Sequence, residues 1–144
     1  MTIANAVKKT ILIVEDDFEI RCELQELLED AGFTVHCASH GEDALDLLPR
    51  MPKPALVLLD LLMPVMDGAR FLQALRASPS FRDVPVVVVS VKHPPPEGAD
   101  GYLRKPFDVR ALIDLVKSFT DDGPRAREGS PPRVGAKNPG SRIS

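Results

Sequence analysis

The run ALVLLD, residues 55–60, is five apolar residues closed by an acid. An unbroken apolar run of this length, with no polar alternation, belongs to a strand buried on both faces, and such strands occur in parallel sheets covered by helices on either side. Two more runs of the same kind flank it. Upstream, residues 10–14 (TILIV) end in Glu15, Asp16 and Asp17; downstream, residues 85–89 (PVVVV) end in Ser90. Weaker strand signals lie at residues 33–37 and 102–104.

Helical periodicity fills the intervals. From residue 18 to 31, Ile20, Leu24, Leu27, Leu28 and Ala31 recur at steps of three and four, and Gly32 provides the stop. After a turn at residues 39–41, Ala44, Leu45 and Leu48 point a short helix inward until Pro49 ends it. Asp67 is placed to cap a helix carrying Phe71, Leu72 and Leu75, which Ser78 and Pro79 stop. Asp108 is placed to cap a last one that turns Leu112, Leu115, Val116 and Phe119 inward. Strands alternating with crossover helices predict a doubly wound α/β domain with a five-stranded parallel sheet.

One connection breaks the pattern. Residues 91–101, VKHPPPEGADG, hold three consecutive prolines, which remove donors and clash with the preceding turn. The fourth helix is therefore expected to be shortened or absent, leaving an extended loop with at most one helical turn. Strands at 86–89 and 102–103 would then be thinly covered on one face, a surface for a second copy or a target protein.

At 144 residues, with 44% hydrophobic and 27% charged residues, the chain suits a single globular core. A net charge of -3 offers no basic surface for nucleic acid or membrane, and no apolar stretch is long enough to span a bilayer, so a cytoplasmic location is expected. Cys22 and Cys37 lack metal-ligand spacing and read as reduced packing residues; His36, His40 and His93 also share no such spacing. Residues 1–9 read as a flexible leader, 10–120 as the folded domain, and 121–144, rich in Asp, Gly, Pro, Ser and Arg, as a disordered tail.

In an open parallel sheet, the carboxyl ends of the strands face a common crevice where ligands bind. Those ends are polar here: Glu15, Asp16 and Asp17, then Asp60, then Ser90, then Arg104 and Lys105. Carboxylates crowded together repel, and with oxygen ligands and no His or Cys cluster the cation that suits them is Mg²⁺. Lys105 adds a fixed positive point. A carboxylate beside a divalent ion, an ammonium and a hydroxyl is equipped to attack phosphorus. Asp17 reads more simply as a loop or helix-start residue.

The motifs ILIVEDD, LVLLDLLMPVMDG, the serine after VPVVVV, and GADGYLRKPF together resemble the bacterial two-component response-regulator receivers, over about the first 120 residues. The resemblance implies a flavodoxin-like sheet of order 2-1-3-4-5 and a switch rather than an enzyme, with at most self-catalysed phosphotransfer and slow autodephosphorylation. It implies that Asp60 is the phosphoacceptor. Asp16 would ligate Mg²⁺ directly, Glu15 partly through water, and the Leu62 carbonyl as a third ligand. Ser90 would be the switch hydroxyl, Tyr102 the aromatic that moves with it, and Lys105 the phosphate contact, joined to Pro106 by a cis bond. Implied partners are a sensor histidine kinase or histidine phosphotransfer domain, a downstream protein target, and a second copy in a homodimer.

Three other readings compete. A phosphorylation-independent docking module is favoured by the short connection and by Val91, a branched residue directly after Ser90. A haloacid-dehalogenase-like phosphatase would need an acid where Leu62 stands. A flavodoxin-like cofactor binder would need a Gly/Ser/Thr-rich loop after the first strand.

Overall fold

The computed structural model describes residues 8–60, 65–91 and 97–120, the side chains of 65–67 lying outside that description. In chain order it runs β1 (Thr10–Val14), α1 (Phe18–Asp30), β2 (Thr34–Ala38), α2 (Gly41–Leu47), a 3₁₀ turn (Leu48–Arg50), β3 (Leu56–Asp60), α3 (Val65–Ala77), β4 (Val86–Ser90), β5 (Gly101–Arg104) and α4 (Val109–Thr120). The five strands form one sheet of order β2-β1-β3-β4-β5, every neighbouring pair parallel, as expected.

Three strands extend one residue further than their apolar runs. β2 reaches Ala38, β3 includes Asp60, and β4 includes Ser90, because ladder pairing is made by the backbone and does not stop at a polar side chain. Asp60 is thus in register with Val89, and Ser90 with Arg104. Pro49 does not end the second helix outright. The chain tightens into a 3₁₀ turn that holds Pro49 near its start, where the missing N–H has no intrahelical partner to lose. α3 begins at Val65, so Asp67 falls inside its first turn rather than at the cap.

Strand alternation sorts the core into two layers. On one face Ile11, Ile13, Leu56, Leu58, Val87 and Val89 pack under Leu24 and Leu28 of α1 and Leu112 and Val116 of α4. On the other, Leu12, Val14, Val57, Leu59, Val86 and Val88 pack under Ala44 of α2, Leu48, and Phe71, Leu72 and Leu75 of α3. Each fully buried leucine or valine contributes about 1.5–3 kcal/mol.

The expected thin cover over β4 is not found. Val86 to Val89 are at most 1% exposed, Val86 and Val88 packing in the layer of α2 and α3 and Val87 and Val89 in that of α1 and α4; only Gly101 and Tyr102 of β5 are half-buried. In the connection after β4, the described residues form a bend at Val91 and a turn at 97–98, with Gly98 at φ +101°, and no helix; residues 92–96 lie outside the description. Most of the expected leader, residues 1–7, and the whole expected tail, 121–144, lie outside it too, but Lys9 is already engaged, its carbonyl accepting from the Thr34 N–H at 2.9 Å. Both cysteines are free; Cys37 is half-buried with its thiol donating to Gln25 Oε1 at 3.4 Å, and Cys22 is exposed. No described helix is long and apolar enough to cross a membrane.

Candidate functional site

The parallel register brings the acid-bearing strand ends together. Val14 pairs with Leu59, so the chain leaving β1 places Glu15 level with Asp60 at the end of β3. The backbone holds Glu15 there from two sides: its N–H donates to the Ala38 carbonyl at 3.0 Å, and its own carbonyl accepts from Arg21 Nη1 at 2.8 Å. Asp60 and Glu15 are both buried, at 1% and 0% exposure.

Lys105 reaches this pair from beyond β5. Its N–H donates to the Ser90 carbonyl at 2.8 Å, which fixes its backbone beside β4, and its ammonium lies 3.0 and 3.2 Å from the two Asp60 oxygens. The peptide bond from Lys105 to Pro106 is cis, matching the resemblance. Arg104, the other cation at this strand end, points elsewhere: it is exposed, and its Nε donates weakly to the Val91 carbonyl at 3.4 Å.

Glu15 has one satisfied and one orphaned oxygen. Oε2 accepts from the Asp17 N–H at 2.7 Å, while Oε1 is buried without a hydrogen-bond partner. Burial, and next the Asp60 carboxylate beside it, push the Glu15 carboxyl up to about 9, against the opposing pull of the Asp17 N–H and the Lys105 charge. The pocket thus holds two buried carboxyl groups with one ammonium on Asp60, and leaves Glu15 Oε1 without a hydrogen-bond partner.

Asp16 is exposed at the rim, and Asp17 is the N-cap of α1, its Oδ1 accepting from the N–H groups of Glu19 at 3.0 Å and Ile20 at 3.1 Å. The simpler reading of Asp17 therefore holds. Among the described residues no three His, Cys, Asp or Glu side chains converge as a metal-holding set. Mg²⁺ does not require one: it keeps several waters and takes one or two carboxylates. The orphaned Glu15 Oε1 and the buried Asp60 carboxylate fit such an ion, with Asp16 exposed beside them to receive its solvent side. Leu62 lies outside the described residues.

Ser90 ends β4 and is buried; Tyr102, opposite Val88 on β5, is half-buried. By strand alternation Ser90 continues the layer of Val86 and Val88, whereas Asp60 continues the layer of Leu56 and Leu58. The two side chains therefore leave opposite faces of the sheet at its carboxyl end. Val91 is 47% exposed, as are Phe18 at 67% and Val109 at 45%, so it stands out at the mouth. His40 serves locally, its Nδ1 accepting from the Asp43 N–H at 3.2 Å.

Sequence reasoning missed Arg21. It holds the Glu15 carbonyl and lies 5.4 Å from the Phe18 ring centroid. Nothing in the sequence separates it from an ordinary helix-surface arginine.

Fold and site together define a flavodoxin-like domain with an acid and lysine pocket at its strand ends. The model of the response regulator receiver domain family matches residues 11–117. Response regulator Rre1 of Synechocystis is 36% identical over 118 residues, covering 76% of this chain and 51% of that protein. The transcriptional regulatory protein CpxR of Escherichia coli is 39% identical over 116 residues, covering 76% and 48%. Among solved structures, a signal receiver domain of a histidine kinase from Syntrophus aciditrophicus superposes with a TM-score of 0.71 at 30% identity, covering 81% of this chain and 93% of that one. The chemotaxis protein CheY4 of Vibrio cholerae gives 0.70 at 28% identity, covering 77% and 98%. The chain belongs to the response regulator receiver domain family, the signalling modules of two-component systems. It spans about half the length of the curated relatives it matches.

Proposed function

We propose that this domain accepts a phosphoryl group on Asp60 from a phosphohistidine donor, a sensor histidine kinase or histidine phosphotransfer domain, and signals through altered contacts with a downstream protein. The observation that carries the reading is the Asp60 carboxylate, buried at the end of β3, gripped by Lys105 Nζ at 3.0 and 3.2 Å beside the orphaned Glu15 Oε1. An Asp60 oxygen attacks phosphorus, the P–N bond breaks with its electron pair returning to the imidazole, and an acyl phosphate forms.

Lys105 holds Asp60 in place before attack and afterwards offers its charge to the new phosphoryl oxygens. Ser90, one residue past Asp60 in register, would meet a phosphoryl oxygen over the end of the sheet, and Tyr102 would follow it. Mg²⁺ held by Glu15, Asp16, Asp60 and the Leu62 carbonyl would neutralise the charge gathered in the pocket. Incubation with acetyl phosphate and Mg²⁺, followed by intact mass measurement, tests the reading. One added phosphate is expected, absent in Asp60→Asn and without Mg²⁺; an acid-labile phosphate on the Asn variant would overturn it.

A further inference from the structure

Arg76, in the last turn of α3, uses every donor of its guanidinium. Nη1 donates to the carbonyls of Arg82 and Val84, both at 2.8 Å; Nη2 donates to the Gly98 carbonyl at 2.8 Å and to Asp100 Oδ2 at 2.6 Å; Nε donates to the Gly98 carbonyl at 3.3 Å. Asp100 in turn clasps the first residue of β4, its Oδ2 accepting from the Val86 N–H and its N–H donating to the Val86 carbonyl, each at 2.8 Å. Gly98, at φ +101°, takes a backbone conformation that side-chain-bearing residues rarely adopt.

One side chain therefore joins the end of α3, the turn into β4, the start of β4 and the connection that leads into β5. Tyr102 stands two residues beyond Asp100, opposite Val88 and packed against the α2 and α3 layer. No helix is present among the described residues of this connection; Arg76 ties it to α3 by polar contacts, and Ala99 packs against the same layer.

We propose that Arg76 is a positioning residue for Tyr102: by latching Gly98 and Asp100 to α3 it holds β5 so that the Tyr102 ring stays half-buried, and it sets how readily that ring moves when Asp60 is modified. The coupling to Asp60 rests on the function proposed above; the latch stands on the geometry alone.

The chain has one tyrosine and no tryptophan, so tyrosine fluorescence reports on Tyr102 specifically. Wild type, Arg76→Ala and Arg76→Lys are compared by acrylamide quenching and by hydrogen exchange of residues 97–102, with Mg²⁺, before and after acetyl phosphate, while intact mass counts phosphate. Both variants are expected to take up phosphate as wild type does, to exchange about tenfold faster over 97–102, and to show Tyr102 more open to quencher before phosphorylation. The phosphate-dependent change in quenching should shrink accordingly. Lysine is not expected to rescue, since three donors on a point charge cannot reproduce a planar five-donor fork. Unchanged exchange and quenching in Arg76→Ala would overturn the proposal. Should wild type take up no phosphate, the phosphoacceptor reading fails, and the latch is still decided by exchange and quenching of the unmodified proteins. If Arg76→Ala does not fold, Asp100→Asn removes the charge pairing while keeping an oxygen for the Val86 N–H, and unchanged values there overturn the latch equally.

Discussion

The Lys105 ammonium bridges both oxygens of Asp60, at 3.0 and 3.2 Å, with the lysine side chain 20% exposed and the aspartate 1%. A cation that still touches water thus compensates a carboxylate that does not. Removing it leaves the buried charge beside Glu15 with no ammonium. Lys105→Met is expected to lower metal-free stability by about 2–4 kcal/mol, and Asp60→Asn in the same chain to restore most of the loss. Urea denaturation of the two single variants and the double variant measures the coupling; additive effects would show that the contact contributes nothing.

The acids after β1 should separate by task. Asp17→Ala removes the α1 cap and is expected to cost about 1 kcal/mol of stability with Mg²⁺ affinity nearly unchanged. Asp16→Ala, at an exposed position, is expected to leave stability within about 0.5 kcal/mol while weakening Mg²⁺ binding at least tenfold. Denaturation and metal titration of each variant check the pair of outcomes. Equal losses of affinity would remove the distinction between the two residues.

Glu15 gives the metal-free protein a defined pH dependence. Its carboxyl ionises near 4.5 ordinarily but near 9 in the fold, so between those values the folded state holds a proton that the unfolded chain has released. That contribution is complete below about pH 4.5 and is lost as pH rises through about 9. Metal-free wild type should therefore fall behind Glu15→Gln progressively over this window, by a few kcal/mol at its alkaline end. Parallel stability curves for the two proteins would show that Glu15 is not raised.

Gly101 tests the packing at the start of β5. A Cβ there would stand 2.9 Å from Phe119 Cε2 and 3.1 Å from Val87 Cγ2. Gly101→Ala is expected to destabilise by about 1–3 kcal/mol, and Phe119→Leu, which shortens the opposing side chain, to recover part of that loss. Thermal unfolding of the single and double variants is the measurement.

How much of this was legible in the chain follows from which signals are local. Runs such as residues 85–89 carry their burial in their own composition, so sheet order and core layers followed from the strand and helix pattern with the family motifs. Asp60 and Ser90 were legible as the polar closings of apolar runs, and they are the last residues of β3 and β4, since pairing depends on backbone alone. Lys105 on Asp60 was expected from motif order. The Glu15 orphan, the Arg21 support and the Arg76 clasp were not, since each depends on where a side chain lands after distant segments dock. The thin cover over β4 was inferred by counting helices, and failed because Val86 and Val88 pack into the layer already built by α2 and α3.

The sheet that separates the two core layers also works as a partition. Among the described residues no side chain belongs to both layers, so the α1 and α4 half and the α2 and α3 half communicate through shared backbone and around the rim where Asp60 and Ser90 emerge. Volume changes deep in one half should therefore add independently to those in the other. Sequence drift can then reshape one half while the other keeps its fit, and the two faces of the molecule are free to adapt to different neighbours at different rates.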